Sequence, residues 1–209
     1  DPGSIYYLSP EGEFTKEVLV EPRRSHCFFE WNYIADVDSI LNQVSARRVR
    51  DVLGETLAAE FHPDDADVVT FLPRCPEVAA RSYARKTGLP FVPVFYKMRG
   101  ERSFQGSNAK DRKESIDSNL HVLPGMKAQL AGKTVVLIDD SIVRGNNSVR
   151  ARQLLYEHAG VKKAYLVSYT PPIGIVPDDG IPRGCTFGVD MAPDPPAGEE
   201  FIARGRDTE

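Results

Sequence analysis

Two adjacent aspartates, Asp139 and Asp140, come directly after the apolar, mostly β-branched run Thr134–Ile138. Paired carboxylates suit the vicinal hydroxyls of a ribose, or a hydrated Mg2+ that substrate oxygens help to hold. The next stretch, Ser141–Asn147, supplies backbone N–H groups, a small hydroxyl and a glycine. Such groups bind phosphate when they lie at the N-terminus of a helix. A phosphate beside ribose hydroxyls predicts a site for a ribose 5-phosphate.

A plainer interpretation of the two aspartates is that they only cap the helix that follows them. Acidic residues are common at helix N-caps, so a bare pair of aspartates after a strand is compatible with either interpretation. Here the pair is accompanied by the hydroxyls of Ser141 and Ser148, by Arg144 and by Gly145. This combination favours the ligand-binding interpretation.

Hydrophobic periodicity predicts the elements that position these residues. The run Thr134–Ile138 is too short for a helix and is predicted to be a buried strand, with a helix following at about Ser148–His158. Further strands are predicted at Val68–Leu72, Phe91–Tyr96 and Ala164–Tyr169, helices at Val44–Phe61 and Glu77–Thr87, and a short hairpin within Ser4–Val20. Recurrent β-α-β units predict an α/β fold with a central, mostly parallel sheet flanked by helices. Such sheets bind ligands at the carboxyl ends of their strands.

Composition narrows the classes of protein to which the chain can belong. Its 209 residues are 41% hydrophobic and 27% charged, with a formal net charge of −4. That balance is typical of an ordinary globular domain and gives no reason to expect nucleic acid or a membrane as partner. The three cysteines, Cys27, Cys75 and Cys185, are far apart and form no CxxC motif. This fits a reducing compartment, so we expect a cytoplasmic protein.

The stretch VVLIDDSIVRG, residues 135–145, resembles the phosphoribosyl pyrophosphate (PRPP) motif of type I phosphoribosyltransferases. Its SIVRG ending is similar to the form found in the glutamine amidophosphoribosyltransferase family, which catalyses the first committed step of purine synthesis. The resemblance implies a type I phosphoribosyltransferase fold with a flexible hood. It implies that Asp139 and Asp140 are catalytic and hold the ribose hydroxyls and Mg2+. It assigns PRPP binding to Ser141, Ile142, Val143, Arg144, Gly145, Asn146, Asn147 and Ser148, with Asn146 and Asn147 where the family has two threonines.

The polar segment Lys97–Arg112 lacks apolar periodicity, and from composition alone a solvated surface loop is the plainer interpretation. Basic residues on a mobile loop also suit a lid over a polyphosphate, because closure expels water and strengthens each charge contact. The segment resembles the family loop that orders over PRPP. The resemblance implies PRPP binding by Lys97 and Arg99 and a catalytic Arg102.

The resemblance covers nearly the whole chain but only the phosphoribosyltransferase half of the family enzyme. Residues 1–40 are similar to the interdomain region and residues 41–209 to the phosphoribosyltransferase domain, with no counterpart of the glutaminase domain. The implied reaction makes 5-phosphoribosylamine from PRPP and ammonia, which a glutaminase domain or partner would supply from glutamine. The resemblance also implies nucleotide monophosphates as inhibitors and a homo-oligomer.

One departure from the family pattern bears on this function. Where the family has a short turn that holds pyrophosphate through backbone N–H groups and a hydroxyl, this chain has Pro73-Arg74-Cys75-Pro76. Proline has no N–H and a thiol is a weak donor, although the guanidinium of Arg74 can bind pyrophosphate directly. A rival hypothesis is therefore a non-catalytic PRPP or nucleotide sensor that has lost the pyrophosphate turn. A third is a phosphoribosyltransferase with another nucleophile, such as a base.

Overall fold

The computed structural model describes residues 3–23, 26–98, 119–143 and 145–170. Contacts divide the chain into two units, Asp1–Glu30 and Trp31–Glu209. The first unit contains an antiparallel hairpin of β1 (Ser4–Leu8) and β2 (Phe14–Val18), which confirms the predicted hairpin. The division at residue 40 that the family resemblance implies stays a prediction.

The second unit is built around a parallel sheet with strand order β5-β8-β9. Its elements, with the π-helical turn Glu30–Ile34 just before them, are β3 Ile40–Leu41, β4 Val44–Ser45, α1 Ala46–Glu60, β5 Val68–Phe71, α2 Glu77–Thr87, β6 Phe95–Lys97, β7 Leu120–Val122, α3 Met126–Leu130, β8 Thr134–Asp139, α4 Asn146–Glu157 and β9 Lys163–Ser168. In the sheet, β8 is the central strand and is buried along its whole length. A strand buried on both faces reads as a continuous apolar run, which is why its sequence signal was strong.

Helices cover both faces of this sheet. Along β8, Val135 and Leu137 belong to one hydrophobic cluster, and Val136 and Ile138 belong to the other. The first cluster includes residues of α3 and α4, and the second includes residues of α1 and α2. Because side chains alternate along a strand, the two clusters lie on opposite faces. The predicted α/β fold with a mostly parallel sheet flanked by helices is confirmed.

The predicted strand Phe91–Tyr96 is wrong as a single element. Phe91 forms an isolated parallel bridge with Val69 of β5, and the chain then leaves the sheet. Pro93 has no N–H to continue the ladder, and the N–H of Val94 donates to the Thr70 hydroxyl instead (3.3 Å). The chain re-enters strand structure only as β6, which pairs antiparallel with β7.

Helices α1 and α2 approach each other closely at Gly54. A methyl group at this position would overlap the backbone carbonyl of Ala79 in α2, so only glycine fits without a shift of one helix. The tight contact fixes the buried face of α1, which includes Arg50. Within the part of the chain that the structure describes, no helix is both long and apolar enough to cross a membrane.

Candidate functional site

The site is built on two buried carboxylates at the carboxyl end of β8. Asp139 is the last residue of the strand and Asp140 follows it, each with 7% of its surface exposed. The backbone N–H of Asp140 donates to Asp139 Oδ1 (2.9 Å), and the Ser141 hydroxyl donates to Asp140 Oδ1 (2.8 Å). These contacts leave further lone pairs on both carboxylates available to a ligand, since an ionised carboxylate accepts about four hydrogen bonds.

Burial disfavours the ionised form of both carboxylates. It raises the pKa of Asp139 well above its usual range, and the neighbouring charge of Asp140 raises it further. Burial likewise raises the pKa of Asp140 to about 6, although the hydrogen bond from Ser141 and the charge of Arg50 oppose the shift. Burial therefore outweighs the attraction of nearby cations at this pair. A bound cation, or hydroxyl donors from a ligand, would relieve that cost.

The edge strand β9 holds the backbone of the aspartate pair. Asp139 pairs in register with Ser168, and the Ser168 hydroxyl donates to the carbonyl oxygen of Asp140 (3.0 Å). The N–H of Tyr169 donates to the carbonyl oxygen of Asp139 (3.4 Å). The pair is thus positioned by the sheet on one side and by the start of the following turn on the other.

The N-terminus of helix α4 follows the pair, after residues 141–145. Gly145 is buried and has φ of +78°, and α4 begins at the next residue. No side chain of the described residues caps α4. The first N–H groups of a helix have no partner within the helix, so they are available to a ligand. Asn146 and Asn147 are exposed, and Ser141, Ile142, Val143 and Ser148 are half-buried. An uncapped helix N-terminus beside small polar residues is a ready site for a phosphate.

Lys97 is the last residue of β6 and is half-buried. Burial lowers its pKa, the charge of Arg74 lowers it further, and the charges of Asp139 and Asp140 oppose that shift. Lys97 therefore interacts electrostatically with both aspartates and with Arg74 of the turn Pro73–Pro76. Arg74 itself is exposed, and the peptide between Pro73 and Arg74 is cis. The binding of pyrophosphate by these two cations stays a prediction.

Several residues predicted for the site lie outside the described residues. They are Arg99, Arg102 and Arg144, together with the rest of the predicted loop as far as Arg112. The predicted roles of these arginines, and the predicted hood, stay predictions. Of the other predicted residues, the structure brings together the aspartate pair, the start of α4 and Lys97.

Two residues of the site were missed by reasoning from sequence. Arg50 is only 2% exposed, and its charge acts on Asp140. Tyr169 is 7% exposed, and the charge of Asp140 acts on it. Arg50 carried a signal that was available, because it shares the buried face of α1 with Ala46 and Gly54 at helical spacing. A charged residue on an apolar face marks either a structural ion pair or a site.

The donor set of the pair fits a hard divalent cation. Within the described residues no three histidine, cysteine or acidic side chains cluster as a complete metal site. Two carboxylates and the Ser141 hydroxyl instead offer a partial set of oxygen donors. Mg2+ prefers this kind of site, because it binds one or two carboxylates and takes its remaining ligands from water and substrate phosphate oxygens. Asp139 and Asp140 are the residues that would hold it.

Comparisons with known proteins agree with this geometry. No family model matches the chain. Amidophosphoribosyltransferases of Pseudomonas aeruginosa and Escherichia coli are each 34% identical to it over 214 residues, covering 100% of the chain and 40% and 39% of the relatives. The human amidophosphoribosyltransferase is 34% identical over 206 residues, covering 97% of the chain and 37% of that relative. The chain thus spans roughly two fifths of the length of these curated relatives.

Solved structures give the same result for the fold. Glutamine PRPP amidotransferase from Bacillus subtilis, in complex with ADP and GMP, superposes with a TM-score of 0.68 at 31% identity, covering 97% of this chain and 41% of that one. An allosteric regulatory enzyme of purine biosynthesis superposes with a TM-score of 0.66 at 31% identity, covering 91% of this chain and 38% of that one. The chain therefore has a type I phosphoribosyltransferase fold, and its sequence is similar to the phosphoribosyltransferase part of the amidophosphoribosyltransferases.

Proposed function

We propose that this chain is a phosphoribosyltransferase that makes 5-phosphoribosylamine from PRPP and ammonia. One observation carries the proposal: the buried Asp139–Asp140 pair at the end of β8 is separated by only five residues from the N-terminus of α4, which no side chain of the described residues caps. Carboxylates beside a phosphate-binding helix end match the ribose hydroxyls and the 5-phosphate of PRPP. The names of the curated relatives support amidation as the reaction. The similarity to an allosteric regulatory enzyme of purine biosynthesis supports that pathway as its setting.

In the proposed reaction, the ammonia nitrogen forms a bond to C1 of the ribose while the bond from C1 to the pyrophosphate oxygen breaks. Pyrophosphate leaves with the bonding electron pair, and the extra proton on nitrogen goes to water. Positive charge develops on the ribose ring, so the nearby carboxylates of Asp139 and Asp140 stabilise it while they orient the hydroxyls. Lys97 and Arg74, with Arg99 and Arg102 from the loop, would hold the pyrophosphate. Ammonia is already a nucleophile, so no general base is required.

Mg2+ is the cofactor of this proposal. Bound by Asp139 and Asp140 and by oxygens of PRPP, it would neutralise part of the negative charge that builds up on the departing pyrophosphate. The pair suits this role, because burial raises both carboxylate pKa values and a cation relieves the cost of ionising them.

The proposal extends to partners. Ammonia would come from glutamine through a glutaminase domain or a partner protein, as the name of the Bacillus subtilis relative suggests. That relative was solved with ADP and GMP, which supports the expectation that a nucleotide monophosphate occupies the same phosphate site as an inhibitor. A homo-oligomer and a cytoplasmic location remain part of the proposal, and sedimentation of the purified chain tests the first.

A second candidate function, a PRPP or nucleotide sensor without catalysis, is favoured by one observation. The Cys75 thiol, in the turn that would hold pyrophosphate, donates to the carbonyl oxygen of Tyr33 (3.5 Å). A thiol used in this way is not offered to pyrophosphate, and the flanking prolines have no N–H to offer. A sensor needs only the ribose 5-phosphate end of the site.

Calorimetric titration with PRPP and with ribose 5-phosphate, both in Mg2+, separates the two functions when it is paired with an assay of ammonia-dependent pyrophosphate release. A transferase binds PRPP much more tightly than ribose 5-phosphate and releases pyrophosphate. Changing both Asp139 and Asp140 to asparagine abolishes that release. Equal affinity for the two ligands without release would refute the transferase and leave the sensor.

A further inference from the structure

The backbone carbonyls of the segment Trp31–Ala35 accept side-chain hydrogen bonds from three different parts of the fold. Arg50 of α1 donates from Nε to the carbonyl of Trp31 (3.0 Å) and from Nη2 to that of Ala35 (2.8 Å). The hydroxyl of Tyr169 donates to the carbonyl of Asn32 (3.1 Å), and the thiol of Cys75 donates to that of Tyr33 (3.5 Å). Two of the donors follow the strands that pair with β8, since Cys75 comes after β5 and Tyr169 after β9.

Tyr169 makes the most direct connection between this segment and the site. Its backbone N–H donates to the carbonyl of Asp139 (3.4 Å), while its hydroxyl reaches the carbonyl of Asn32. The side chain is 7% exposed and packs in the same hydrophobic cluster as Ile138 and Val136. One residue therefore bonds the end of β8 at its backbone and the segment Trp31–Ala35 at the tip of its side chain.

Arg50 holds the same segment from α1. It is buried, with 2% of its surface exposed, and the two carbonyls of Trp31 and Ala35 hold its guanidinium at two nitrogens. A buried guanidinium held this way has little freedom to move, because its planar fork is pre-organised for bidentate contacts. Its positive charge acts on Asp140 and opposes the shift that burial imposes on the pKa of that residue.

We propose that Tyr169 is a positioning residue for the Asp139–Asp140 pair, whose backbone it joins to the segment Trp31–Ala35, and that Arg50 is a positioning residue that holds this segment. Neither residue is required to touch PRPP. They fix the end of β8 and the orientation of the two carboxylates, which must be pre-set if the ribose hydroxyls are to bind without reorganisation. The proposal rests on the proposed function, since it names how that site is held in place.

The chain offers a matched control for a test with Tyr169→Phe. Tyr83 is also a buried tyrosine of the same hydrophobic cluster, and its hydroxyl donates to the carbonyl of Phe61 (2.8 Å). Each phenylalanine variant loses one hydroxyl and leaves one backbone carbonyl without that donor. Both should lower the melting temperature to a similar extent, because their chemistry is the same. Only Tyr169→Phe should affect the aspartate pair.

Two readouts are measured on the full chain. Hydrogen–deuterium exchange reports the amide of Asp140, which is bonded to Asp139 Oδ1. We expect exchange there to rise in Tyr169→Phe and to stay at the wild-type rate in Tyr83→Phe. Titration with PRPP in Mn2+, with bound Mn2+ followed by electron paramagnetic resonance, should show about a fivefold to tenfold loss of affinity in Tyr169→Phe alone, as for one lost hydrogen bond. Arg50→Lys keeps the charge but has one donor nitrogen in place of the two that bond Trp31 and Ala35, and it should show a loss in the same direction.

The outcomes separate this proposal from the proposed function. If Tyr169→Phe matches Tyr83→Phe in exchange at Asp140, the positioning role is refuted, whatever the protein binds. If exchange rises in Tyr169→Phe but the wild-type chain takes up no PRPP, the positioning role stands and the proposed function fails. A loss of PRPP affinity in both variants to the same degree would show a general packing effect and would also refute the positioning role.

Discussion

Two groups of acidic side chains in this protein have opposite surroundings. On the surface between α1 and α2, Asp51 forms ion pairs with Arg85 (2.9 Å) and Arg48 (3.0 Å), and Arg85 also reaches Glu55 (3.4 Å). The hydrogen bond from Arg85 lowers the pKa of Asp51. At the end of β8, burial raises the pKa of both Asp139 and Asp140. Aspartate is thus stabilised in its ionised form by arginines at the surface, whereas burial destabilises the ionised form at the end of β8.

The difference teaches where to look for function. A surface carboxylate that forms ion pairs with arginines contributes modestly to stability, and its charge is already compensated without a ligand. Two buried carboxylates side by side destabilise the free protein, and such an arrangement persists where a ligand or cation repays the cost. The surface group has more ion pairs. A bound substrate would nevertheless change the free energy of ionisation most at the buried pair.

The largest expected effect comes from removing charge at each place. Asp140→Asn should lower affinity for PRPP on the order of 100-fold, because it weakens a charged hydrogen bond to the ribose. At pH 7 it should also raise the free energy of unfolding by roughly 1 kcal/mol or more, because a buried charge is lost. Asp51→Asn should leave PRPP affinity unchanged and lower stability slightly. Calorimetry and urea unfolding of the two variants measure both quantities, and a site variant that is weaker in both would break the contrast.

A second prediction concerns α1, which carries Asp51 on its surface face and Arg50 on its buried face. Gly54→Ala should push α1 away from the carbonyl of Ala79 and cost about 2–3 kcal/mol of unfolding free energy, as overpacking does. Because Arg50 would move with the helix, PRPP affinity should fall as well. Chemical denaturation and ligand titration of the variant check this, with wild-type stability as the contradicting result.

The two groups should also respond to pH with opposite signs. The pKa of Asp140 rises from 3.8 to about 6 on folding, so the native state keeps a proton that the unfolded state has released between these values. The free energy of unfolding from this group therefore falls as the pH rises through that window. For Asp51, whose pKa is lowered from 3.8, the contribution is present above that value and is lost as the pH falls through the folded pKa.

Unfolding curves between pH 3 and pH 7, about the range over which carboxylates titrate, test these signs. Asp140→Asn should flatten the decline in stability between 3.8 and about 6, whereas Asp51→Asn should leave that decline in place. An unchanged slope in Asp140→Asn would contradict the buried, raised pKa of this residue.

The smallest effect is expected for the surface ion pairs themselves. Arg85→Gln should lower the free energy of unfolding only slightly in low salt, because exposed pairs contribute little. The cost should shrink in about 1 M salt, where the screening length falls to roughly 3 Å. Thermal unfolding of the variant at two salt concentrations measures this loss of stability. A large loss that does not change with salt would contradict the exposed character of these ion pairs.

Sequence reasoning reached the fold and the centre of the site because both produce local patterns. The buried strand β8 is a continuous apolar run, and Asp139, Asp140 and the turn after them are consecutive residues. The end of the strand before Val94 depended on Pro93 and on the Thr70 hydroxyl, a contact across more than twenty residues. The side chains of Tyr169 and Arg50 donate to backbone carbonyls of the segment Trp31–Ala35, which is distant in sequence from both. No local sequence pattern marks such hydrogen bonds.

The measurement that tests the central claim most directly is a crystal structure of the protein with Mg2+ and PRPP. The account predicts the ribose hydroxyls and the cation at Asp139 and Asp140, and the 5-phosphate at the start of α4. It predicts the pyrophosphate on the side of Lys97 and Arg74. A ribose phosphate bound anywhere else in the chain, with the aspartate pair left without contact to it, would contradict the account.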